Sequence, residues 1–476
     1  MAKTNDVTFQ RGEYQSCLYA WDTVDAVMSQ QAIKEAETKF LPMPMPKDTS
    51  EANKARYRQY LARAVLWGAT ERTLSSLVGA AFQKVPTLTV PSAIDYVGSD
   101  IDGSGLSIYQ QSQLVLSDVM KRARHALLVD YPQTQRPASQ ADLRSGRIRA
   151  TVASISARRV VNWRTRRVGA EYKLDLVVIF EDHEEETEDG FGVETIPQYR
   201  VLRLTDEGYT QEVWRKREDK DEWFLFTQPF FILDGKGSKW DEIPLTFVGS
   251  VNNDPSPDKS PMLSMAEKEI AHYQVGADCR HSAYMTGQAQ PVITGLTEKW
   301  RDHMEKQGIY FGSNAPLLLP ENATADLLQT QGNTQAERER EYIEKMINSL
   351  GARLVQPGGA VKTATEAQDD NEQEHSVLSL AVSNVSEAYV KCLEWIKRFM
   401  NVEGDAIYEI NQDYTRKQLD PQMLTAAALW WDKGQWPLSD MRNWQRKTGL
   451  VDPEKTDEQI DEELSANPPG LNLGDA

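Results

Sequence analysis

The chain has 476 residues, 71 acidic against 53 basic side chains and a formal charge of −18, enough length for several cooperating modules and the wrong sign for static nucleic-acid binding, which lysine and arginine supply by displacing counterions. Its three cysteines, Cys17, Cys279 and Cys392, are odd in number and far apart, which excludes a disulfide framework or a Cys-x-x-Cys zinc site. No apolar run approaches the ~20 residues of a membrane span, and Met1–Asp6 opens no export signal, so neither is expected.

Residues 1–48 are polar and close on Leu41-Pro-Met-Pro-Met-Pro46, which cannot continue a helix and predicts an extended N-terminal arm. From Glu51 to Phe82 apolar residues recur at helical spacing (Tyr57, Leu61, Val65, Leu74, Leu77, Val78), giving one long helix or two broken ones. A second helical stretch, Ser107 to Ala126, leads into a short buried strand, Leu127 to Pro132. Residues 121–167 then hold twelve Lys/Arg against Asp130 and Asp142, and residues 171–194 hold ten Asp/Glu against Lys173. Each block is either a solvated face or one side of a head-to-tail contact between identical subunits.

Beta-rich pieces (Tyr172 to Phe180, Gln198 to Leu204, Tyr209 to Lys216, Trp223 to Phe226) separated by Gly/Asp/Glu turns predict an antiparallel meander over about 172–248. A strong helix follows, with Ser260 as N-cap, Pro261 at its first position and a stripe of Leu263, Ala266, Ile270, Tyr273 and Ala277, ended by Gly287 and Pro291. Pro291 to Gly332 reads strand, helix (Glu298 to Gln307), strand (Leu317 to Leu319), strand. The helix from Thr334 to Val355, with Ile343, Ile347, Leu350 and Leu354 on one side, stops at Pro357-Gly358-Gly359. A small polar stretch, Ala360 to Gln368, precedes a long helix from Asp370 to Met400. Two short amphipathic helices (Pro421 to Lys433, Leu438 to Thr448) and a tail expected to be disordered complete a fold read as mainly α with a β-rich insert, of the α+β class.

Chemistry is sparse. There is no G-x-x-x-x-G-K-[ST], and Leu127-Leu-Val-Asp130 alone is too common to stand for a nucleotide site. Asp100-Ile-Asp-Gly103 lacks the glycine and glutamate of a calcium loop and reads as an Asx/Gly turn. His183 has no second ligand at chelating distance, and His272 and His281 stand nine residues apart, so they read as core or interface histidines. Glu337, Glu339, Glu341 and Glu344 interleave with Arg338, Arg340 and Lys345 as a wet, ion-paired face. No catalytic residue, metal ligand or cofactor site is expected, and the chain is read as no enzyme.

Several phrases carry a resemblance: Glu71-Arg-Thr-Leu74 with Gly79-Ala-Ala-Phe-Gln-Lys-Val-Pro86, Asp100-Ile-Asp-Gly-Ser-Gly-Leu106, Ala126-Leu-Leu-Val-Asp-Tyr-Pro132, Ile243-Pro-Leu-Thr-Phe247, and Pro261-Met-Leu-Ser-Met-Ala266 through Ala271-His-Tyr273. In that order they resemble the portal, or head-tail connector, proteins of tailed bacteriophages over roughly residues 50–450. The resemblance implies a ring, usually dodecameric, with wing, stem, clip and crown regions around a channel for double-stranded DNA, at the capsid portal vertex of the virion after synthesis in the bacterial host cytoplasm. Carried over, it places the wing at 49–259, stem helices at 260–289 and 333–357, the clip at 290–332, a tunnel loop at 358–368, a long wing helix at 369–401, a crown at 402–464 and a tail at 465–476. Partners implied are further copies of the chain, DNA in passage, the terminase large subunit, the major capsid or scaffolding protein, and head-tail adaptor or tail proteins, with no membrane.

Within this frame Leu263, Ala266, Ile270, Ile343 and Leu350 are expected to pack stem helices of neighbouring copies. Gly358, Gly359, Lys362, Thr363 and Thr365 form the expected tunnel loop, whose glycines lower its ordering cost and whose lysine offers phosphate a passing contact, unless it is a plain helix–helix linker. An acidic conduit with few cations lets a polyanion slide. Lys299, Arg301 and Lys306 are expected on the clip, touching DNA or a docking partner or merely solvated. The competing readings are a minor capsid or scaffold-like interaction protein and a DNA-processing enzyme.

Overall fold

The computed structural model describes residues 6–132, 148–217 except 188, 222–287, 290–307, 319–328, 334–353, 377–412 and, in pieces, 427–466. It mixes helices with antiparallel sheets, an α+β fold, in two compact units, residues 1–412 and 413–476.

The chain opens with two helices, α1 (Gly12–Ala26) and α2 (Gln30–Glu35). This corrects the expected extended arm over residues 1–48. Trp21, Val24, Val27 and Ile33 are buried, and the Trp21 indole N–H donates to the Arg122 carbonyl oxygen at 2.8 Å. Asp22 and Asp25 hold Arg158 at 2.7 and 2.9 Å, and Asp25 holds Arg122 at 2.7 Å. The prolines end the segment rather than unfold it, because enough apolar surface precedes them to dock a helix.

Helices α3 (Glu51–Arg63) and α4 (Ala69–Ala81) are the broken pair, with Ser50 capping α3 and Gly68, at φ +73°, turning the chain into α4. After β1 (Thr87–Thr89), the Asp100 carboxylate accepts from the backbone N–H of Gly103 and Gly105 at 2.8 and 2.9 Å, the expected Asx/Gly turn. Ser107 and Gln110 then form a capping box at the start of α5 (Ile108–Arg122).

Strands β2 (Arg124–Asp130) and β3 (Thr151–Ser156) precede β4 (Val160–Val168), β5 (Glu171–Glu186), β6 (Val193–Thr205), β7 (Gly208–Lys216) and β8 (Trp223–Phe231), with β9 (Leu245–Gly249) after them. Strands β4 to β8 form one five-stranded antiparallel meander in sequence order. It begins earlier than the expected residue 172, and Ile243–Val248 leaves it: β9 joins β2 in a separate three-stranded sheet ordered β3-β2-β9. The two charge blocks meet in part within one chain. Arg164 pairs with Asp175 at 2.8 Å and Arg159 with Asp182 at 2.6 Å, as hairpin neighbours with opposite charges do.

Next come α6 (Leu263–Thr286), β10 (Gln290–Thr294), α7 (Glu298–Gln307), β11 (Thr324–Leu328), α8 (Thr334–Arg353), α9 (Val377–Met400) and β12 (Ile407–Glu409). The core lies where α9 and α5 cover the three-stranded sheet, whose β2 is buried from Arg124 through Val129. Phe399 of α9 stacks on Tyr131 at 5.2 Å and meets the tilted Trp240 ring at 4.0 Å. Strand β12 pairs with β1, so residues 402–412 belong to the first unit and not to a crown beginning at 402.

The second unit, taken by itself, holds α10 (Leu438–Thr448) and α11 (Asp457–Ala466). Arg442 binds Asp461, Arg446 binds Asp457, and Lys455 reaches Glu463 at 2.7 Å. Trp436 lies between Trp430 and Trp444, its ring 6.1 and 5.3 Å from theirs. Of the expected helix Pro421–Lys433, Ala427 and Leu429–Trp431 are described and helical. Ser465 and Ala466, expected in the tail, close α11. Among the described residues no helix is long and apolar enough to cross a membrane.

Candidate functional site: the paired helices and their anchor

Helices α6 and α8 pack along each other, and three contacts fix how. A Cβ on Gly351 would come within 3.2 Å of Met265, His272 Nε2 lies 3.0 Å from Glu344 Oε1, and Cys279 lies within electrostatic reach of Glu337 and Arg340. Each step of seven residues up α6 is matched by seven back along α8, the signature of an antiparallel pair in continuous register. Between them, β10 and β11 pair antiparallel from Gln290↔Leu328 to Thr294↔Thr324 around α7. The expected helix, strand–helix–strand, helix order is therefore present. Most of the expected strand Leu317–Leu319 falls outside the described residues.

Of the residues expected to pack between copies, Ala266 and Ile343 are buried within this chain, whereas Leu263, Ile270 and Leu350 are half-buried. The buried seam of α6 runs instead through Met265, Ala266, Glu269, His272, Tyr273, Gly276 and Ala277. Ser260 does not cap: its hydroxyl donates to the Lys121 carbonyl oxygen at 2.6 Å, and the N-cap position is Met262. Lys299, Arg301 and Lys306 are all exposed on α7, with Arg301 4.0 Å from Asp302. Gly358, Gly359, Lys362, Thr363 and Thr365 lie outside the described residues.

Sequence reasoning missed a polar ladder that ties α6 to the α3–α4 corner. Glu269, fully buried, accepts from the backbone N–H of Ala69 at 2.9 Å and of Thr70 at 2.7 Å. It caps a helix whose own N-cap, Gly68, has no side chain to do so. One turn on, the His272 ring lies 5.1 Å from Trp67, the residue before that cap. Further along, the Tyr60 hydroxyl donates to Asp278 at 2.6 Å, Arg63 meets His281 at 3.2 Å, and the Arg63 guanidinium sits 4.2 Å above the Tyr284 ring. Burial, then the hydrogen bond to Asp278, raise the Tyr60 phenol well above its usual range. The available signal was the spacing of Glu269, His272, Asp278 and His281, polar positions interleaved with an apolar stripe.

A second polar cluster lies under the sheet. His125 Nδ1 is 2.9 Å from Asp118 and Nε2 is 2.8 Å from the exposed Ser154 Oγ, the connectivity of a hydrolytic triad. Its electrostatics are the reverse. Burial, then the cations Arg122 and Lys121, push the imidazole down to about 3, so the imidazolium that a general base must become is disfavoured. Beside it Arg124 is sandwiched between Trp163 and Phe247, 3.7 and 4.0 Å from their centroids, and burial pushes its guanidinium down to about 9. This cluster joins strand to helix. Among the described residues no group of His, Cys, Asp and Glu is arranged to hold a metal ion.

A family model described as Domain of unknown function (DUF4055) matches residues 261–400, which run from just before α6 to the last residue of α9. No curated protein matches the chain. Among solved structures it is similar, at 12% identity in each case, to a chain of the neck of an empty gene transfer agent (GTA) particle computed with C6 symmetry (TM-score 0.41, covering 83% of this chain and 93% of that one). It is also similar to a chain of the native GTA particle neck computed with C12 symmetry (TM-score 0.40, 79% and 89%) and to one of the native GTA virion (TM-score 0.39, 79% and 88%). Likenesses this weak carry no inference about function.

Proposed function

We propose that the chain is the subunit of a portal-type head-tail connector, a structural protein of the virion whose copies close into a ring around a channel for double-stranded DNA. The role is geometric rather than enzymatic: the ring fixes an opening, docks the packaging motor and later receives tail adaptors. In this reading α6 and α8 are the stem helices, β10, α7 and β11 the clip, residues 358–368 the tunnel loop and α9 the long wing helix. The wing is 49–259, and the crown starts at 413 rather than 402.

The observation that carries the reading is the antiparallel α6–α8 pair, held in register, rooted by Glu269 and still rich in open apolar surface. Tyr284, Met285 and Tyr342 are 41, 54 and 58% exposed on it, and Leu263, Ile270 and Leu350 are only half-covered. Apolar side chains left open along one helix pair are what a neighbouring copy would cover. The match of one family model to residues 261–400 supports treating these elements as one module.

Negative-stain electron microscopy of the purified chain tests the reading. Rings with a stain-filled centre are expected, and particles without an axial opening, or monomers at every concentration up to tens of micromolar, overturn it.

A further inference from the structure

Most of the meander pairs its charges internally, but one part does not. Strand β4 reaches β5 only as far as Ile179, and β7 reaches β6 only from Gln198 onward. From Asp182↔Pro197 to Glu186↔Val193 the two strands continue as a bare two-stranded ribbon, about 15 Å long at ~3.4 Å per residue. Such a ribbon is marginal alone. Register and alternation place Asp182, Glu184, Glu186, Val193 and Thr195 on one face. Asp182 is taken by Arg159, whereas Glu184 and Glu186 are exposed and form no ion pair among the described residues. Val193 is 61% exposed, and Phe191, in the connecting turn, is 95% exposed. The opposite face has Arg215 on Glu185 at 2.7 Å.

The complementary surface is on the same chain. Helix α3 buries Asn53, Tyr57 and Tyr60 and turns outward Ala52, Ala55, Gln59 and Ala62, with Glu51 and Lys54 paired to each other at 2.8 Å and with Arg56 and Arg58 on the two opposite flanks of that face. Neither Arg56 nor Arg58 forms an ion pair among the described residues, and the alanines leave room for a strand to lie close.

We infer that the β5–β6 ribbon of one copy docks on the α3 face of the next, Glu184 and Glu186 against Arg56 and Arg58, with Val193 and Phe191 over the alanines. A closed ring of identical chains needs two different patches that fit each other, and a chain at −18 repels its own copies except where such patches meet. The inference rests on the ring reading of the preceding subsection.

Charge reversal tests it in the full-length chain, with assembly followed by sedimentation velocity and folding checked by thermal melting. Glu184→Lys with Glu186→Lys is expected to weaken association about tenfold or more, as is Arg56→Glu with Arg58→Glu, and the four changes together are expected to restore it. In a separate variant, Glu186→Cys with Arg56→Cys should give disulfide-linked dimers and higher ladders that the wild type, with Cys17, Cys279 and Cys392, does not. Unchanged assembly in both reversals, or loss without rescue and without the crosslink, overturns this contact while leaving the ring reading standing; the second result would mean that each surface meets a different part of the neighbouring copy. A wild-type chain that never associates overturns both readings.

Discussion

The two larger sheets of the first unit treat charge in opposite ways. In the three-stranded sheet, Arg124 and His125 are withdrawn from water: one is clamped between aromatic rings with no hydrogen-bond partner for its guanidinium nitrogens among the described residues, the other is kept neutral. In the five-stranded meander, opposite charges pair in the open, as Arg166 does with Asp206 at 2.9 Å. Water decides the difference. A charged group that solvent still reaches gains little from a partner, whereas one behind the core must be neutralised, stacked or fully bonded. Groups of the second kind are where single substitutions cost most, and the Glu269 cap belongs with them.

The largest effect is expected at that cap. Glu269→Ala leaves the backbone N–H groups of Ala69 and Thr70 buried without acceptors and should cost about 3–5 kcal/mol, measured as a shift in the urea midpoint. Glu269→Gln keeps one acceptor and should cost less than half as much. Equal losses for the two substitutions would mean that the carboxylate charge, not the capping geometry, anchors α6 to α4.

His125 should make the molecule acid-sensitive. Its folded value of about 3 lies below the unfolded value near 6.5. Between the two the unfolded chain binds the proton and the folded one does not, so stability rises with pH. The contribution is complete above about pH 6.5 and is lost as pH falls through the window toward 3, by a few kcal/mol. Stability curves of the wild type and His125→Gln from pH 7.5 to 4 should differ in slope, the variant being flatter. Parallel curves would show that the imidazole takes up its proton in the fold as readily as in the unfolded chain, and a slope of opposite sign would show it held protonated against Asp118.

The sequence made elements legible where one face was dry. The α6–α8 pair, the helix that begins at Ser107 and the meander all follow from periodicity and turn chemistry, which are local. The N-terminal helices were missed because the prolines at 42, 44 and 46 outweighed Tyr14, Trp21 and Val24, whose spacing of seven and three marks a helical face. The ladder was missed for a different reason: a carboxylate that caps another helix two hundred residues away leaves no local trace. The charge blocks were visible, but whether they meet in one chain or between two depends on the hairpin turn at Gly169, which pairs Arg164 beside Asp175. Fold class is thus a local property here, whereas the residues that root the helix pair are set by tertiary contact.

The smallest effect sharpens the contrast from the other side. Arg166 and Asp206 are 42 and 92% exposed, so their attraction competes with water and with counterions over a Debye length of about 8 Å at physiological salt. A double-mutant cycle with Arg166→Ala and Asp206→Ala should return a coupling below about 0.5 kcal/mol, shrinking further in 0.5 M salt. If the coupling instead exceeded about 1.5 kcal/mol and ignored salt, the pair would have to be shielded from solvent in the native state. That result would place this edge of the meander under a neighbouring copy and move the contact between subunits from the β5–β6 ribbon toward the β4–β5 turn.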